Sequence, residues 1–86
     1  MPVITFANTK GGAGKTTAAL ILATELARSG ARVTILDADP QHWISHWHDI
    51  SGKVPNVDVI SYVTMASIQT HINENRAKTD YFIIDL

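Results

Sequence analysis

The stretch Asn8 to Thr17, NTKGGAGKTT, limits what this chain can become more than any other part of it. It follows the apolar run VITFA (Val3 to Ala7), which is too short for a helix and suits a strand covered on both faces rather than a half-exposed edge. It precedes AALILATELARSG, which is long enough for a helix. Glycines let the backbone turn tightly and bring several amide hydrogens towards one anion. The first turn of the next helix adds free amides and the positive end of its dipole. A glycine-rich turn between a strand and a helix is therefore a place to hold a phosphate group. Lys15 offers a mobile positive charge to the β and γ phosphates, and the Thr16 hydroxyl offers an oxygen to magnesium. The generic pattern has a glycine where Thr9 stands, so the phosphate nest is built mainly from Lys10 to Thr16.

The rest of the chain alternates in the same manner. Ala19, Leu22, Ala23, Leu26 and Ala27 recur at three- and four-residue spacings and predict a helix over 16–29, with Gly30 able to end it and Arg28 near its negative end. RVTILDAD returns to strand character from Arg32 to Asp37. Strand, helix and strand with short connections imply a crossover between parallel strands, which puts both strand ends on one side of the sheet. Asp37 and Asp39 thereby approach the glycine turn from over twenty residues away. Pro40 stops the strand, HWISHWHDI forms a short helix or an ordered loop, and SGKVPN is turn-rich. VDVISY is a third strand, 65–78 a helix with Met65, Ile68 and Ile72 on its core side, and YFIIDL a last strand. The expected fold class is α/β, the incomplete N-terminal portion of a P-loop NTPase with a mostly parallel sheet and flanking helices.

At 86 residues the chain buries one modest core and falls short of a complete doubly wound nucleotide-binding domain. A net charge of -1 argues against a broad positive field for nonspecific DNA binding within this stretch. With no cysteine there is no disulfide or thiol chemistry, which fits a reducing compartment. The N-terminus lacks the basic segment and long apolar run of a signal peptide or membrane span.

Carboxylates at the ends of apolar strands face the open end of a sheet while the chain behind them stays in the core. Asp39 fits a magnesium-ordering or water-orienting role better than a turn role, whereas for Asp37 the two weigh equally. Asp85 repeats the pattern and suits magnesium association through water. His42, His46 and Asp49 have a spacing that helical zinc ligands use, but they read better as an exposed polar face; His71 flanks a helix without chemistry. Trp43 and Trp47 lie four apart, with core packing ahead of partner contact and base stacking.

Lys10, Gly11, Gly12, Ala13, Gly14, Lys15, Thr16 and Thr17, with an extra lysine before the two glycines, resemble the signature of the deviant Walker A ATPases of the ParA and MinD superfamily. The resemblance extends through DADPQ (37–41) and DYFIIDL (80–86), and DADPQ is most similar to ParA-type partition ATPases, including VirC1-like relatives that act in DNA transfer. The resemblance implies ATP and Mg2+ as cofactors and a cytoplasmic homodimer formed with ATP. Lys10 then reaches the partner's phosphates, Asp39 positions the attacking water, and Lys15 and Thr16 serve phosphate and magnesium. It further implies that the chain is the N-terminal part of a single larger ATPase domain. DNA binding then falls to residues outside this stretch, a DNA-bound adaptor protein is a further partner, and no membrane is expected. Two other readings stand beside it: a catalytically silent interaction module, and a MinD-like positioning ATPase.

Overall fold

The computed structural model describes residues 2–7 and 13–86. Four strands, β1 (Val3–Phe6), β2 (Val33–Asp37), β3 (Val57–Ile60) and β4 (Tyr81–Asp85), alternate with three helices, α1 (Ala13–Arg28), α2 (Trp43–Ser51) and α3 (Ile68–Asn75). A short 3-10 turn, Arg76–Lys78, follows α3. All the strand pairs are parallel and the order across the sheet is β1-β4-β2-β3, so the last strand lies between the first two.

Side-chain alternation along the strands divides the core into two layers. On one face Ala19, Ala23 and Ala27 of α1 lie on Val33, Ile35, Val57 and Ile83, with Ile44 of α2 closing the layer. Alanines four apart make one flat stripe, which lets the helix axis sit close to the sheet. On the other face Leu36, Phe82 and Ile84 pack against Ile72 of α3 and Val63, with Ile68 at the margin. Because β2 and β4 are covered on both sides, their apolar runs are almost unbroken. Each fully buried Ile or Phe here contributes roughly 1.5–3 kcal/mol relative to exposure.

Several boundaries differ from expectation. β1 is a half-exposed edge strand, not one covered on both faces: among the described residues it pairs with β4 alone, and its residues alternate exposed and half-buried. Phe6 packs against the α1 layer, whereas Val3, on the opposite face, is 43% exposed. The third helix starts at Ile68 instead of residue 65, because Ser67 and Thr64 exchange side-chain and backbone hydrogen bonds that hold residues 64–67 as a turn. Met65 is consequently exposed and does not belong to the core stripe. HWISHWHDI does form a helix; Trp47 packs on the core, while Trp43 stays largely exposed. Gly30 ends α1 as expected, at φ +98 with its amide bonded to the Ala27 carbonyl.

Candidate functional site

Parallel register brings the carboxylates together. Phe6 and Asp37 both lie level with Asp85, so the chain leaves β1, β2 and β4 at one edge, the side on which open α/β sheets bind ligands. The first turn of α1 meets that edge and carries Gly14, Lys15, Thr16 and Thr17. Lys15 and Thr16 point inwards: the Lys15 side chain is 7% exposed and Thr16 is buried. Gly14 and Thr17 are exposed. Ala13 opens the helix, and Lys10, Gly11 and Gly12 lie outside the described residues.

The Lys15 ammonium sits between two strand-end carboxylates. Its Nζ lies 3.1 Å from Asp39 Oδ2 and 2.9 Å from Asp85 Oδ1, and it also donates to the Leu86 carbonyl. The Thr16 hydroxyl lies 3.5 Å from Asp85 Oδ2. Burial alone lowers the Lys15 pKa, but its hydrogen bonds and charge pairing with Asp85 and Asp39 outweigh that and hold it above the ordinary lysine value. Asp39 also suffers from burial, which raises its pKa; the Gln41 amide, Lys15 and the charge of His42 reverse the shift and leave it below the usual carboxylate value. Asp85 goes the other way. Its full burial, with Asp39 and Asp37 nearby, outweighs the pairing with Lys15 and pushes its pKa up.

Asp37 has a different task. Oδ2 accepts hydrogen bonds from the Ser45 amide at 3.0 Å and the Ser45 hydroxyl at 2.5 Å, and Oδ1 accepts from the Asp39 amide at 3.3 Å. Oδ2 therefore ties the end of β2 to α2 while Oδ1 holds the turn that follows β2, and the structural role stands over the metal role. Asp39 is held by its own turn, with Oδ1 accepting from the Gln41 amide at 2.9 Å, which leaves Oδ2 on Lys15.

The donor set fits a hard, oxygen-loving cation. Thr16 Oγ and the two Asp85 oxygens lie together, and Asp85 Oδ1 is buried with no hydrogen bond of good geometry despite its closeness to Lys15. One hydroxyl and one carboxylate, completed by phosphate and water, is the incomplete shell magnesium favours. Among the described residues no three His, Asp or Glu side chains converge as a self-sufficient metal centre, so His42, His46 and Asp49 do not form one. Sequence reasoning missed Ser45 and Ser61, whose hydroxyls are 2.8 Å apart behind Asp37. Nothing in their spacing announces a contact that depends on how α2 folds back.

A doubly wound sheet with a lysine-bearing helix start facing two strand-end carboxylates defines a P-loop nucleotide-binding fold. Residues 4–84 match the CobQ/CobB/MinD/ParA nucleotide binding domain, and the chain belongs to that family. It is 44% identical over 87 aligned positions to "Protein ParA" of Rhizobium radiobacter, covering all of this chain and 39% of that protein. "Protein virC1" of the same species is 45% identical over 49 residues, covering 57% of this chain and 21% of its own length. A solved plasmid partition protein from Borrelia burgdorferi superimposes with a TM-score of 0.71 at 25% identity, over 98% of this chain and 55% of that one. The chain thus spans well under half of the ParA relative. No helix among the described residues is long and apolar enough to cross a membrane.

Proposed function

We propose that this chain is the N-terminal, phosphate-holding part of a cytoplasmic ParA-like ATPase that dimerises with ATP and acts in DNA partition or DNA transfer. The observation that carries the reading is the convergence of Lys15, Asp39 and Asp85, from three separate elements, at the start of α1. Partition is the function named for the Borrelia protein, and the similarity of DADPQ to VirC1-like relatives keeps transfer in the same proposal.

In this reading Lys15 exchanges its carboxylate partners for the β and γ phosphates, while Thr16 and Asp85 hold Mg2+, which supplies charge neutralisation at the phosphoryl oxygens. The water oxygen bonds to the γ phosphorus, the bond from that phosphorus to the bridging oxygen breaks with its electron pair staying on the departing ADP, and a water proton passes to an oxygen of the phosphate formed. Asp39 orients the water. Its lowered pKa makes it a stable anion and a poor base, so positioning fits better than proton abstraction in the rate-limiting step. Lys10, across a dimer, serves the partner's phosphates. DNA and a DNA-bound adaptor engage surfaces beyond this segment.

Asp39→Ala in the full-length gene product tests the reading. It should fold, bind ATP and dimerise, yet release phosphate about 100-fold more slowly in a single turnover. Normal release from a stable variant would reject the role. Absence of magnesium-dependent ATP binding in the folded wild type would reject the ATPase and favour a silent interaction module.

A further inference from the structure

Three non-glycine residues among the described ones have left-handed backbones: His42 at φ 54, Asn56 at φ 66 and Tyr62 at φ 58. Asn56 sits in the turn before β3, and asparagine tolerates this conformation. A bulky residue such as tyrosine does not, and such strain persists only where the surroundings hold it in place. His42 and Tyr62 are twenty positions apart in sequence, yet their rings meet with centroids 4.4 Å apart and planes tilted by 58°.

Their contact joins two loops at the carboxyl end of the sheet. The His42 amide donates to the Asp39 carbonyl at 3.0 Å and closes the turn that carries the Asp39 side chain. On the other loop, the Val63 amide donates to the Asp37 carbonyl at 3.1 Å, and Ser61 reaches Asp37 through Ser45. Tyr62 thus lies between two residues anchored to the Asp37–Asp39 segment, while it is itself 73% exposed. Burial of its ring in the core does not offset its backbone strain, and the aromatic contact that it makes is the tilted one with the His42 ring.

We propose that the tilted ring contact between His42 and Tyr62 is a positioning device for Asp39, fixing the turn from outside so that the carboxylate keeps its orientation when Lys15 moves to phosphate. The inference rests on the ATPase reading above. The two residues are positioning residues, acting through the turn and touching none of the reacting atoms; His42 also bears on Asp39 through its charge, which Tyr62→Gly leaves in place.

The test uses substitutions that remove a ring while permitting the left-handed backbone: His42→Asn and Tyr62→Gly, with Tyr62→Phe retaining the ring contact. In the full-length protein each of the first two should slow single-turnover phosphate release roughly tenfold and leave ATP affinity within about twofold, since misplacement near the chemistry costs rate and not binding. The double variant should be no slower than the slower single one, because one contact is lost once. Tyr62→Phe should behave as wild type. The carboxyl-carbon NMR resonance of Asp39 gives a readout independent of turnover: it should move in His42→Asn and Tyr62→Gly and stay in place in Tyr62→Phe. An unmoved resonance, independent multiplying rate losses, or wild-type release from a variant whose resonance has moved would each overturn the proposal. If the wild type releases no phosphate, the ATPase reading falls and the resonance alone decides the positioning role; if Tyr62→Gly does not fold, His42→Asn decides it.

Discussion

Lys15 and its two carboxylates form a balance in which binding competes with stability. A buried charge is costly unless paired, and removing one partner leaves the other exposed to that cost. Lys15→Ala should therefore lower the melting temperature at neutral pH, as calorimetry would record, and, through loss of the proposed phosphate contact, weaken nucleotide binding. Asp85→Asn leaves Lys15 paired with Asp39 alone and should likewise lower the melting temperature at neutral pH. The Asp85 pKa is raised, so the fold binds its proton more tightly than the unfolded chain does, and its favourable contribution is lost as pH rises through the raised value. The variant should bind magnesium nucleotide more weakly, and its deficit in melting temperature should widen on acidification, where wild type gains the contribution of the protonated Asp85 that asparagine lacks. Asp39 has the opposite sign: its lowered pKa gives stability above the ordinary carboxylate value of about 3.9 that is lost as pH falls through the lower folded value. For Lys15 the contribution is complete below about 10.4 and is lost as pH rises through its raised value.

At the level of elements, α2 is joined to the end of β2 by Ser45, whose amide and hydroxyl both reach a fully buried Asp37. Ser45→Ala removes the hydroxyl donor and should cost about 1–3 kcal/mol in urea unfolding, since a buried carboxylate oxygen loses a partner. If the loss were nearly zero, the amide alone would suffice to hold Asp37. The contact also marks where sequence reading stops. The strand-turn-helix order, the parallel sheet and the placement of Lys15, Thr16, Asp39 and Asp85 were legible because each follows from local pattern: glycines before a helix, carboxylates after apolar runs. The role of Asp37 was not, because DAD reads alike at both aspartates and only the return of α2 distinguishes them. The edge position of β1 was hidden for a similar reason. VITFA is as apolar as a doubly covered strand, and neither its neighbours nor its covering helix can be read from its own composition. Met65 misled through periodicity, which continued through a turn that Thr64 and Ser67 had already closed.

Across the whole molecule the two faces of the sheet are unequally covered. α1 reaches β1 and Phe6 on one side, but on the other Val3 is 43% exposed and Thr5 is exposed beside it in alternation. A strand with unpaired backbone groups and an apolar residue on its open face invites pairing with another chain. The 86-residue segment should consequently self-associate without nucleotide, in a concentration-dependent manner, by a route distinct from the ATP-driven dimerisation proposed above. Val3→Lys puts a charge on the open face, the device natural sheets use to protect edges, and the side chain points away from the α1 layer that holds Lys15 and Thr16. Sedimentation velocity across a concentration series should show association in the wild-type segment and a weaker tendency in Val3→Lys, with the helical content of the two equal by circular dichroism. Equal association in both would place the contact elsewhere, with the exposed Trp43, Tyr62 and Met65 at the carboxyl end as the next surface to substitute.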